Sequence, residues 1–270
     1  MKRYIYSLLL STMFFTSCEE VIEINLDEAE SRIVIEGLIT DQLGPYTVKI
    51  SESVGFYEDN EFPGIGGATV KISDGQGNVE VLEEVEEGIY QTTSLQGQRG
   101  VEYHIEVELA GEVYTARSRM QDDVVPIDSL VFRFEEESLI YDEGYYFRAY
   151  FEDPAGLGNY YRFKVLVNGE PYQFDIDGDL VEDNNLWLAD DKYTDGNAQD
   201  WDFPHTLETG DKVSVRFYHI NKAMHDYYRT LAEVINGGGV APSNPLSNFG
   251  NGALGYFGAV SVTSIEEVVE

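Results

Sequence analysis

The chain has 270 residues, 43% of them hydrophobic and 13% aromatic, which is enough apolar material for one large or two ordinary domains with real cores. Its formal net charge of −33 at pH 7 repels phosphate and leaves no basic patch to neutralise it, so DNA and RNA are excluded as partners. The same charge excludes electrostatic adhesion to anionic lipid, and a single cysteine excludes an internal disulfide framework.

The first residues have the order of a secretory leader: Lys2 and Arg3 are basic, and Tyr4 to Phe15 form an apolar run too short to span a bilayer. That run ends in Phe15-Thr16-Ser17-Cys18, small residues before a cysteine, as lipoprotein signal peptidase requires. Phe15 departs from the usual leucine, and an ordinary cleaved leader with an incidental cysteine is the competing reading. The expectation is a signal peptide over 1–17, lipidation at Cys18 and a linker over 18–30. Membrane residence then comes from covalent acyl chains, because every later apolar run is broken by charge.

From Arg32 onward the pattern alternates with period two, as in strands with one buried face. In the clearest stretch Val101, Tyr103, Ile105, Val107 and Leu109 point one way, while Glu102, His104, Glu106 and Glu108 point the other. Tyr46-Val48-Ile50 and Val70-Ile72 repeat the pattern, separated by turn signals at Gly44-Pro45, Asp74-Gly75, Gly77-Asn78, Gly88 and Gly111. The spacing predicts a β-sandwich over 31–121.

Met120 to Pro126 reads as a boundary, and a second β-rich domain is expected over 126–270, with strands at 130–134, 145–151, 160–167 and 213–220. A helix is expected over 221–236, where Met224, Tyr227, Tyr228, Leu231, Val234 and Ile235 recur at helical spacing behind the cap residue Asn221. Residues 174–204 have little periodicity and many carboxylates, and read as an exposed acidic insertion.

Asp175, Asp177 and Asp179, followed by Glu182 and Asp183, place alternate carboxylates in one flexible loop, an arrangement that could converge on calcium. The run is not an EF-hand: glycine stands fourth instead of sixth, and Leu186 occupies the place of the bidentate glutamate. A solvated acidic turn is the competing reading. None of the four histidines pairs with another at metal-ligand spacing, and no serine sits on a glycine-flanked elbow. Trp187 and Trp201 fall inside the polar insertion, where indole faces can stack on sugar rings or anchor a partner, or pin the loop to the sandwich.

Two resemblances extend this reading. Val34 to Thr40, Gly67 to Ile72 and Gly88-Ile89-Tyr90 resemble the transthyretin-like or carboxypeptidase-regulatory-like sandwiches of cell-surface proteins, so the first domain is expected to be immunoglobulin-like or transthyretin-like. More specifically, the cysteine with trailing Glu19 and Glu20, Asp153-Pro154 before Asn159-Tyr160-Tyr161-Arg162, Gly210-Asp211, the Tyr227-Tyr228 helix, Pro242 to Pro245 and Gly252 to Ala259 resemble the domain-of-unknown-function 4249 family of Bacteroidota lipoproteins. That resemblance implies a surface-exposed outer-membrane lipoprotein working near TonB-dependent receptors of nutrient uptake, and it defines no catalytic residue.

The expected architecture is mainly all-β: two antiparallel sandwich domains, with one helix in the second. The expected role is a non-catalytic accessory or binding component, held at the membrane by its lipid, facing the cell exterior and taking a glycan or peptide ligand. A carbohydrate-binding module with Trp187 and Trp201 as its platform is one alternative, and a hydrolase with dispersed carboxylates is another.

Overall fold

A computed structural model describes residues 31–54, 62–176, 179–182, 185–235 and 244–270, and for residues 173–176 and 179–182 its backbone alone. The leader, the lipidation residue Cys18 and the linker therefore lie outside the described residues.

Over the described residues the fold is all-β with one helix. The first ten strands are β1 (Ile33–Thr40), β2 (Thr47–Glu52), β3 (Thr69–Asp74), β4 (Val79–Val81), β5 (Glu83–Glu86), β6 (Ile89–Gln91), β7 (Glu102–Leu109), β8 (Glu112–Arg119), β9 (Ser129–Glu135) and β10 (Gly144–Glu152). They are followed by β11 (Tyr160–Val167), β12 (Glu170–Pro171), β13 (Gln173–Ile176), β14 (Asp179–Glu182), β15 (Trp187–Asp190), β16 (Ala198–Leu207), β17 (Lys212–Ile220), helix α1 (Lys222–Ile235) and β18 (Leu254–Val268).

In the first sandwich, the sheet β4-β3-β7-β8 faces strands β1, β2, β6, β5 and the first half of β18. The alternation read in β7 is realised: Tyr103, Ile105 and Val107 are buried against Ile35, Ile50, Ile72 and Phe257, and His104 and Glu108 face solvent. In the second sandwich, β16-β10-β9 faces β12, β11, β17 and the second half of β18, with β15 also paired to β11. Its core is aromatic: Phe151, Tyr161, Phe163 and Phe217 pack together, with Phe163 stacked on Phe217 at 4.6 Å between ring centres.

Strand β18 joins the two. Leu254–Val260 runs parallel to β1, and Ser261–Val268 runs antiparallel to β17, so one nine-stranded sheet continues through both sandwiches. Met120 belongs to the first core and Val125 to the second, but Phe249, Ala253, Phe257 and Ala259 return to the first. Packing along the chain is thus not a simple succession of two units. The chain between the sandwiches is stitched to β18, since Thr263 Oγ1 donates to the Val125 carbonyl at 3.0 Å.

Helix α1 lies over the place where β18 changes partners. Its Met224, Tyr227 and Tyr228 bury against Val260, Ile220 and Tyr256, giving β18 apolar cover on its second face. Two glycines permit close approaches to β18, one by β1 and one by the helix. A Cβ on Gly255, whose φ is +93°, would stand 2.1 Å from the Ile35 carbonyl oxygen, and one on Gly258 would stand 2.2 Å from Met224 Sδ.

Residues 174–204, read from sequence as an insertion, carry strands instead. β16 alternates, with Phe203, His205 and Leu207 inward and Asp202 and Pro204 outward, and Pro204 is tolerated because β16 is the edge of its sheet.

Candidate functional site

At the end of the second sandwich nearest the first, two loops meet. Residues 153–159 connect β10 to β11, and residues 191–197 connect β15 to β16. They bring together Asp153, Asp191 and Asp195, each with a carboxylate oxygen within 4.8 Å of the others.

Asp153 and Asp191 are buried, which costs free energy unless their oxygens are well solvated by the protein. That solvation is supplied locally. Asp153 accepts hydrogen bonds from the Tyr161 hydroxyl and from the Gly196 N–H at 3.0 Å. Asp191 Oδ2 accepts from the N–H groups of Gly158 at 2.7 Å and Asn159 at 2.9 Å, and from Asn159 Nδ2 at 3.2 Å. Asp195 Oδ1 accepts from the Gly156 N–H at 2.6 Å, so each carboxylate closes one loop upon the other.

The wider environment is polar yet lacks a countercharge. Among the described residues no lysine or arginine forms an ion pair with any of the three carboxylates. Burial, reinforced by the hydrogen bond to Asp153, raises the Tyr161 phenol well above its ordinary value. His219, whose Nε2 lies 3.2 Å from Asn159 Oδ1, is pushed below its ordinary value by burial, against the opposing pull of Asp123, Asp153 and Asp191. The three carboxylates could contribute to a hard-cation site, but calcium takes about six to eight oxygens, and four of the six carboxylate oxygens here already accept hydrogen bonds that hold the loops together.

The run expected to bind calcium is a different one. Asp177 and Asp183 lie outside the described residues, and the side chains of Asp175, Asp179 and Glu182 are not among those described. Their backbone belongs to the hairpin β13–β14, with Ile176 opposite Asp179. Sequence alone gave no reason to choose Asp153, Asp191 and Asp195 from 50 acids. Their shared signal is weak: each stands beside a glycine-bearing turn.

Trp187 and Trp201 are both half-buried against the second core. Trp187 meets Phe203 edge-on at 5.8 Å, and Trp201 lies nearly parallel to Phe163 at 5.7 Å, so each indole is engaged with the core. Among the described residues of this region Tyr193 is largely exposed, at 86%, with the Lys192 ammonium 4.9 Å from its ring centre.

A shallow, open groove of about 550 Å³ crosses the outer face of β3, β7 and β8, lined by Lys71, Ser73, His104, Glu106, Thr115 and Arg117 among others. Its one carboxylate, Glu106, is paired with Lys71 at 2.9 Å, so no pair of carboxylates is assembled there to flank a glycosidic bond.

The architecture is that of a two-sandwich β protein joined by a shared C-terminal strand. The chain belongs to the family described as domain of unknown function (DUF4249), whose model matches residues 19–266. No curated protein matches it significantly.

Proposed function

We propose that the protein is a lipid-anchored accessory binding protein of the outer membrane, without catalytic activity, that works near a TonB-dependent nutrient-uptake receptor and faces the cell exterior. The observation that carries the reading is the placement of the sole cysteine, Cys18, directly after a leader-like apolar run and two small residues. The family match supports it by beginning at the next residue.

The fold suits such a tether. Ser31 and Arg32 lead into β1, which starts beside Leu254 at the pole of the first sandwich remote from the second. An anchor at Cys18 would therefore leave the second sandwich projecting away from the membrane.

Fractionation of cells producing the full chain, with mass spectrometry of the amino terminus, tests the proposal. The expected result is a membrane-bound protein with a diacylated or triacylated Cys18, and a Cys18→Ala chain released from the membrane. An unmodified thiol, or a wild-type chain found free after fractionation, would overturn it.

A further inference from the structure

The end of the second sandwich farthest from the first carries a rigid apolar tip. Residues 136–143 connect β9 to β10, and at the apex Leu139 is 106% and Ile140 84% exposed. Adjacent aliphatic side chains this bare are uncommon on a soluble surface unless they are covered by something else.

The loop is built to hold them there. Ser138 donates its N–H to the Tyr141 carbonyl at 2.8 Å, and its Oγ accepts from the N–H groups of Ile140 at 3.2 Å and Tyr141 at 3.0 Å. The Tyr141 ring packs edge-on against Tyr146 at 5.2 Å, under the Arg133 guanidinium at 5.6 Å. The Asp142 N–H then donates to the Tyr146 hydroxyl at 3.1 Å, fixing the return to β10. Binding through such a preorganised loop avoids most of the entropy cost of ordering it.

Charge identifies what fits. Leu139 and Ile140 are flanked by Glu136 and Glu137 on one side and Asp142 and Glu143 on the other, all four exposed. This acidic collar opposes insertion into anionic lipid, and the tip points to the pole opposite the start of β1. Docking onto a second copy would bring together two chains each carrying −33. We infer that the 136–143 loop docks, through Leu139 and Ile140, into an apolar cleft rimmed by lysine or arginine on another protein. This deepens the proposed accessory role by naming its contact surface, and it does not depend on the anchor.

The test places a photo-crosslinker at the tip of the full-length chain in its own cells, as Ile140→benzoylphenylalanine, with Leu43→benzoylphenylalanine, also at a highly exposed site, as the control. The expected product is one protein adduct specific to the tip, its crosslinked residues mapping to an apolar cleft flanked by basic side chains. A second change, Leu139→Asp, should lower its yield about tenfold or more with the melting temperature unchanged. Neutralising the collar by Glu136→Gln, Glu137→Gln, Asp142→Asn and Glu143→Gln should also lower it, and added salt should do the same to the unaltered loop.

Equal adducts at both positions, adducts to lipid, or adducts to a second copy would overturn the inference. So would a protein adduct indifferent to Leu139→Asp, or one mapping to a surface without basic residues. Fractionation of the same cells separates the two readings: a membrane-bound chain without tip adducts sinks the tip alone, and a soluble chain with them sinks the anchor alone.

Discussion

Tyr161 and Asp153 show how a single buried hydrogen bond holds the loop site. The phenol donates to a carboxylate that is 5% exposed and has no ion-pair partner among the described residues, so removing the hydroxyl strands part of a buried charge. Tyr161→Phe should therefore lower stability by about 2 kcal/mol, read as a shift in the urea midpoint with little change in the slope. His219 and His225 give a second expectation. Burial lowers both from the ordinary value of 6.5, so the unfolded chain binds more protons than the folded one as the pH falls. Their contribution is intact above about pH 6.5 and is lost as the pH drops from there through the depressed folded values. Melting temperature measured from pH 8 to pH 5 should fall on the acid side, and the fall should be shallower in His219→Asn; equal slopes would contradict this role for His219.

At the scale of elements, helix α1 was plain in the sequence, because its apolar residues keep helical spacing and Asn221 precedes them. The structure places Asn221 Oδ1 3.0 Å from the Met224 N–H, and adds a bond that sequence could not supply, from Asn221 Nδ2 to Ser118 Oγ at 2.7 Å. Asn221→Ala should cost about 1 kcal/mol for the lost cap, with more for the lost bond to the first sandwich, measurable by thermal unfolding. Strand β16 was illegible for the opposite reason. Asp200, Asp202 and Pro204 dilute its apolar content, and only pairing to β10, with Phe203 opposite Phe147, identifies the inward face. Gly255 in β18 is a similar case: only the register with β1 identifies Ile35 as the backbone it approaches. Gly255→Ala combines a φ of +93° with a backbone clash, and should destabilise by more than about 2 kcal/mol.

For the molecule as a whole, β18 is the decisive element. Its 15 residues, at about 3.3 Å each, form a ribbon of roughly 50 Å shared by both sandwiches and roofed by α1. Unfolding followed by calorimetry should therefore give one cooperative transition, and a chain ending before Leu254 should fail to fold either core; two well-separated transitions would contradict the coupling. The local chemistry of the chain determined by itself that it is all-β, where helix α1 lies, and which family it resembles, because periodicity and short motifs are properties of neighbouring residues. Only the tertiary structure decided that the last strand closes the first sandwich, that Asp153, Asp191 and Asp195 converge, and that Leu139 and Ile140 are bare. Those outcomes depend on pairings across great sequence distance, such as that of Arg32 with Gly252, 220 positions away, and a local pattern holds no record of which distant strand will supply the partner.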